Sequence, residues 1–338
     1  MPASFLWNMF DWGDRGSETK DMEVMVMTDM NMKRQISRIG WAYTVFYLVS
    51  VGAQFLMVRM AQFLRPVLPE WVLSDNGLMM ISQLCMYGFG FPAFYLIIKR
   101  LPCWHMREDR KIEAQDLMLI VVLCLGSAYI GNMVGQAMMV ISDTLFGTQS
   151  LNPVTDVLLD MSVWYVFFST VLVAPVMEEL MFRKLLIDRV VPFGQRLAVV
   201  ISGVSFGLFH GNFYQFFYAC SLGMIFAYLY SSTGKIRYSI ALHMMINTMG
   251  GFLPLFLQTQ IERGSSAAAI ALMMLGLLIF MSILGTVVIG CMLWHRVTWF
   301  PSWIGEQGMG RVKSFLTASG FWAFLAVSMM EFVLMQAG

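Results

Sequence analysis

Apolar residues fall in long runs, at 41–64, 77–98, 117–141, 161–190, 197–211, 214–232, 238–257 and 268–294. A ninth run at 318–336 is interrupted by Glu331. At about 1.5 Å per helical residue, roughly 20 residues cross a hydrocarbon layer about 30 Å thick. The pattern therefore predicts an all-α, polytopic transmembrane helical bundle of about eight spans. The alternating in–out pattern of an outer-membrane barrel is absent. Runs 197–211 and 214–232 are short and separated by Gly211-Asn212. They predict a tight hairpin that stops before the far interface.

The basic residues orient the bundle. If the spans alternate, one side holds Lys33, Arg34, Arg38, Lys99, Arg100, Arg107, Arg110, Lys111, Lys184, Arg189, Arg196, Lys235, Arg237, Arg296, Arg311 and Lys313. The other side holds only Arg59, Arg65 and Arg263, and the 142–160 connection carries Asp143 and Asp156 without a base. Lys and Arg collect on the cytoplasmic side of membrane proteins, which places the N-terminus inside. The chain then divides into a cytoplasmic tail with little structure (1–38), N-terminal transmembrane helices (39–150), a core (151–260) and a C-terminal helical region (261–338). No stretch reads as a cleavable signal peptide. The Met-rich tail points to a bacterial plasma membrane.

Composition agrees with the pattern. Of 338 residues, 58% are hydrophobic and 13% charged. Soluble domains carry about a quarter charged residues, so a soluble or disordered protein is excluded. A net charge of +1 offers no general attraction to nucleic acid. The 32 Met residues read as lipid-facing or packing filler. Cys85, Cys103, Cys124, Cys220 and Cys291 show no paired spacing and read as small apolar residues.

The informative residues are the polar ones inside apolar runs, because each is expensive at membrane depth. Run 161–190 carries Glu178, Glu179 and Arg183; run 197–211 ends with His210; run 238–257 carries His243 and Asn247. Arg183 follows Glu179 by four residues and can pair with it on one helix face. Glu178 points about 100° away and has no cation in register, which makes it the candidate general base. A helix-end ion-pair cluster joined by Lys184 and Arg189 is the structural alternative. Pro175 predicts a kink one turn earlier. Gly203, Gly207 and Gly211 form a small-residue face for close helix approach, and Phe206 lies one turn before His210. His243 and Asn247 share a face with Ser239 and could both donate to a developing oxyanion, or simply bond another helix.

Depth links them. Glu178 precedes Gln195 by 17 residues across the Pro192-Phe193-Gly194 break, His210 follows Arg196 by 14, and His243 and Asn247 follow Lys235 by 8 and 12. All fall in one slab about 12–21 Å below the cytoplasmic surface. A carboxylate, two imidazoles and a carboxamide can hydrolyse an amide with an activated water and no protein nucleophile. A zinc site of Glu178, His210 and His243 remains an alternative, although H-E-x-x-H is absent. Gly203-Val204-Ser205-Phe206-Gly207 fits G-x-S-x-G, but the nucleophile elbow needs a strand-turn-helix context. A Ser205–His243 dyad stays conceivable, as does a proton-relay transporter.

In order and placement, Glu178-Glu179-x-x-x-Arg183, Phe206-x-x-x-His210 and His243-x-x-x-Asn247 resemble the motifs of the CPBP (CAAX protease and bacteriocin-processing, or Abi) family. That family includes the type II CAAX prenyl endopeptidases. The resemblance covers about 161–257. It implies an eight-helix intramembrane protease with a cytoplasm-facing cavity, in which Glu178 with His210 activates water. His243 and Asn247 then form the oxyanion hole, and Glu179 and Arg183 support the site. The resemblance favours a metal-free glutamate mechanism with no cofactor. The partner it implies is a peptide or C-terminal tail of a membrane-associated or lipidated protein, within the lipid bilayer. A non-catalytic scaffold or bacteriocin self-immunity protein is the alternative from another class.

Overall fold

The computed structural model describes residues 32–104, 111–147, 161–293, 297, 299, 301 and 309–337. The expectations for residues 1–31 and for Asp156 lie outside the described residues. Every regular element among the described residues is helical. The helices are α1 Met32–Phe63, α2 Asp75–Ile98, α3 Ala114–Phe146, α4 Val163–Phe193, α5 Gln195–Phe209, α6 Phe213–Thr233, α7 Ile236–Glu262, α8 Ser266–Leu293, α9 Met309–Leu316 and α10 Ser319–Ala337. Helices α1–α4, α7 and α8 are long and apolar enough to cross a membrane, and α5 and the Ser319–Leu334 part of α10 are shorter apolar helices. The chain is an integral, multi-pass membrane protein.

Helix α1 begins at Met32, seven residues before position 39, where the N-terminal transmembrane helices were expected to start. Ile36 and Ile39 are buried, and the Gln35 side chain donates to Pro102 O at 2.7 Å. The charged residues Lys33, Arg34 and Arg38 masked this start, because they extend the helix beyond its apolar run.

The α5–α6 hairpin lies at the centre. Helix α6 packs on α3, and α3 on α8; helix α1 packs on α2 and α10. Helix α7 lies along α4 and also touches α6 and α3. The hairpin forms as expected, but its glycines divide the work. A Cβ on Gly203 would lie 2.9 Å from Cys220 O, and one on Gly207 would lie 2.8 Å from Phe216 O. Both therefore admit α6 to backbone contact. Gly211 is not part of that face: its φ of +64° is left-handed and turns the chain. Asn212 then caps α6, its Oδ1 accepting the Gln215 N–H at 2.9 Å.

Helix α8 is the outermost element, with Met273, Met274 and Met281 exposed for lipid contact. Glu331, which interrupts the last apolar run, points inward. Its carboxylate lies beside the Gly211 turn, where an added Cβ would come within 2.8 Å of Oε2.

Three helices share a local device. In α2, α4 and α7, a wide π-type stretch covers Leu84–Gly90, Phe167–Val173 and Thr248–Phe252. Each ends two residues before a proline: Pro92, Pro175 and Pro254. The N–H just before each proline bonds five residues back, Phe91 to Met86, Ala174 to Ser169 and Leu253 to Thr248. A proline ring clashes with the carbonyl four residues earlier, and a wider turn moves that carbonyl aside. At Pro175, where a kink is expected, the helix widens.

The α3–α6 seam is equally close. A Cβ on Gly131 would meet Tyr218 Cα at 2.5 Å and Tyr218 N at 2.6 Å, both backbone atoms that cannot swing away. Gly131→Leu is therefore expected to cost about 1–3 kcal/mol or more, read as a lowered melting temperature in detergent. Gly276→Leu on α8, whose Cβ meets nothing within 4 Å, should melt like the parent.

Candidate active site

Helix α4 supplies both carboxylates. After Pro175 the helix tightens again over Ala174–Glu179, then widens a second time over Leu180–Leu185. Glu178 and Glu179 end the tight segment, and Arg183 lies in the wide one. Arg183 Nε sits 3.1 Å from Glu179 Oε2, with both side chains fully buried. The guanidinium carbon lies 4.5 Å from the Phe206 ring centroid and 5.4 Å from that of Phe226. Two aromatic faces therefore hold a cation that reaches no water. Its terminal amino groups find no hydrogen-bond partner among the described residues.

Glu179 has a second partner. Its Oε1 lies 3.0 Å from His243 Nδ1, which donates to it. The carboxylate thus bridges Arg183 and His243 and assigns the imidazole proton to Nδ1. His243 Nε2 then lies 3.7 Å from Glu178 Oε2, an electrostatic contact too long for a direct hydrogen bond. Glu178 is buried but held less firmly than its neighbour. The side-by-side acids are split as the 100° helical step predicts.

His210 follows the last residue of α5. Its Nδ1 donates to Phe206 O at 2.8 Å, which leaves Nε2 with the lone pair in the neutral ring. Phe206 meets His210 edge-on at 4.8 Å and His243 edge-on at 5.6 Å. One phenyl ring therefore walls both imidazoles and covers Arg183. Asn247 donates through Nδ2 to Thr170 O at 2.8 Å, across from α7 to α4. Ser239, one turn before His243, is buried on the same stripe.

The structure gathers Glu178, Glu179, Arg183, Phe206 and His243 into one contact cluster. It joins His210 to that cluster through Phe206, and ties Asn247 to the wide turn of α4. His243 and Asn247 share a helix face, yet each commits one N–H, to Glu179 and Thr170 respectively. Lys184 and Arg189 do not join the cluster. Lys184 pairs with Asp188 at 3.1 Å, and Arg189 donates to Ile98 O and Leu185 O, each at 2.8 Å. Ser205 lies mid-helix in α5, away from any strand-turn-helix. No three His, Cys, Asp or Glu side chains converge for a metal among the described residues, so the zinc alternative gains no geometric support.

Three contributors escaped the sequence. Phe226 looked like ordinary apolar filler. Thr170 acts through its carbonyl, which no side-chain pattern reports, although Pro175 five residues later was a signal. Tyr218 lies 6.4 Å from the His210 ring and accepts from Gln215 Nε2 at 2.8 Å.

Residues 160–249 match the family model described as "Type II CAAX prenyl endopeptidase Rce1-like". The sequence is also 33% identical over 78 residues, 23% of this chain, to a Bacillus subtilis (strain 168) protein named "Putative membrane peptidase YdiL". That match covers 32% of the relative, so the chain spans about a third of its length. No solved structure matches the chain.

The buried ion pair carries a stability prediction. Removing one partner strands a charge in low dielectric, at a cost of about 3–5 kcal/mol. Glu179→Ala and Arg183→Ala should each sharply lower the melting temperature in detergent. Arg183→Lys should rescue little, since an ammonium lacks the flat face that lies between Phe206 and Phe226.

Proposed function

We propose that this chain is a glutamate-type intramembrane endopeptidase of the CPBP family, a reading supported by the family match over residues 160–249 and by the likeness to a membrane peptidase. The observation that carries the reading is the division of labour between adjacent acids. Glu179 is consumed by Arg183 at 3.1 Å and His243 at 3.0 Å, whereas among the described residues Glu178 has only the 3.7 Å approach of His243 Nε2. A carboxylate left with spare acceptor capacity in a buried site suits a general base.

In this reading Glu178 takes a proton from water, aided by the Nε2 lone pair of His210. The water oxygen bonds to the substrate carbonyl carbon, and the carbonyl electrons move to oxygen. The second Nδ2 hydrogen of Asn247 donates to that oxyanion, with the His243 ring beside it. The C–N bond breaks as the captured proton passes to the leaving nitrogen, giving an acid and an amine. Glu179 and Arg183 hold the His243 ring in register. The substrate is a peptide or C-terminal tail of a membrane-associated or lipidated protein, admitted from the cytoplasmic side. The lysine and arginine distribution and the depth of the cluster support that side.

Glu178→Gln keeps the side chain's shape and removes the base. It should lower kcat by at least about 10²-fold on a lipidated or leader-type peptide. Full activity in that variant, measured on purified protein, would end the proposal. Activity should also survive a strong chelator with no zinc by elemental analysis. Loss of activity on chelation, restored by zinc, would move the reaction to the metal alternative.

A further inference from the structure

The oxyanion donor Asn247 is oriented by a carbonyl that a proline leaves open. Helix α4 runs in a five-residue hydrogen-bonding register at its first wide turn, where the Ala174 N–H bonds Ser169 O. The next donor in that register is residue 175, and its acceptor would be Thr170 O. Residue 175 is Pro, which has no N–H. Thr170 O is therefore left without its backbone donor at a half-buried position of a helix long and apolar enough to cross a membrane. An unpaired backbone carbonyl in an apolar interior is costly, so it draws a partner. The partner is Asn247 Nδ2 at 2.8 Å, reaching across from α7. This contact pins one of the two amide hydrogens and so fixes the plane of the carboxamide. The second hydrogen then has a set direction.

We infer that Pro175 is a positioning residue: its missing N–H reserves the Thr170 carbonyl for Asn247 and thereby aims the other Asn247 N–H at the reacting carbonyl. The same wide turn precedes Pro92 and Pro254. At α4 it falls opposite a residue of the site. The catalytic half of the inference rests on the endopeptidase reading. The contact half does not.

Two double-mutant cycles in purified full-length protein separate these halves. Pro175→Ala returns an N–H that can bond Thr170 O in place of Asn247. Asn247→Leu removes the side-chain donor at nearly constant shape. In the first cycle, Asn247→Leu should lower the melting temperature by several degrees when Pro175 is present. It should lower it by much less in the Pro175→Ala background, where the backbone satisfies the carbonyl. Equal losses in both backgrounds overturn the inference. In the second cycle, Pro175→Ala alone should lower kcat at least several-fold with KM little changed. It should add almost nothing once Asn247 is Leu, and Pro92→Ala should leave kcat at the parent value. Independent, multiplying effects on kcat would overturn the aiming role. If the parent shows no peptidase activity, the endopeptidase reading falls, while the melting cycle still decides the Thr170 contact. Should Pro175→Ala fail to purify, Pro175→Gly returns the same N–H on a more compliant backbone, and the same outcomes apply.

Discussion

Arg183 is a full positive charge that meets no solvent, in a helix that crosses hydrocarbon. Such a charge is tolerated only with a counter-charge and a polarisable surround. Glu179 supplies the first from the same helix, and Phe206 and Phe226 supply the second from α5 and α6. The spare oxygen of Glu179 then takes His243 from α7. Four helices are thus tied by one act of charge compensation. The tie is directional, because a carboxylate with two fixed partners has no freedom to rotate. The orientation of the His243 ring follows from the solution to the arginine problem.

The packing that makes this possible is a matter of missing side chains. Phe206 lies over Arg183 where α5 and α6 approach to backbone contact. A Cβ on Gly223 would come within 2.8 Å of Gly203 Cα and 3.2 Å of Phe206 Cδ1. The same glycine seam that seals the hairpin therefore sets the wall between the two imidazoles. Packing energy and site geometry are not separable here, since one ring serves both.

The sequence carried the helical class, the hairpin at Gly211-Asn212 and the Glu179–Arg183 pair, because each depends on local period or local chemistry. Runs of about 20 apolar residues leave little choice but a spanning helix. A four-residue spacing leaves little choice about which acid meets Arg183. What stayed hidden depends on three-dimensional neighbours or on the backbone. Phe226 is one of 27 phenylalanines, and nothing local marks it as a cation's partner. Thr170 contributes a carbonyl, which every residue owns. The start of α1 lies ahead of the apolar run: Lys33, Arg34 and Arg38 look like tail, yet they sit in the helix, which uses Ile36 and Ile39 for burial.

The same contrast explains why the two adjacent glutamates are not duplicates. Consecutive helical positions differ by about 100°, so side chains of identical chemistry face different neighbours. Position 179 faces inward along the line that holds Arg183 and His243, and its charge is spent on holding the bundle together. Position 178 turns toward the far nitrogen of that same His243 and is held only across 3.7 Å. A fixed acid beside a looser one is the arrangement general acid–base chemistry needs: one group must not move, and the other must be able to take a proton and return it. The helix produces that asymmetry from two identical residues with no help from their identity. In the proposed reaction, Glu178 is left to act as the base because Glu179 is committed to Arg183 and His243.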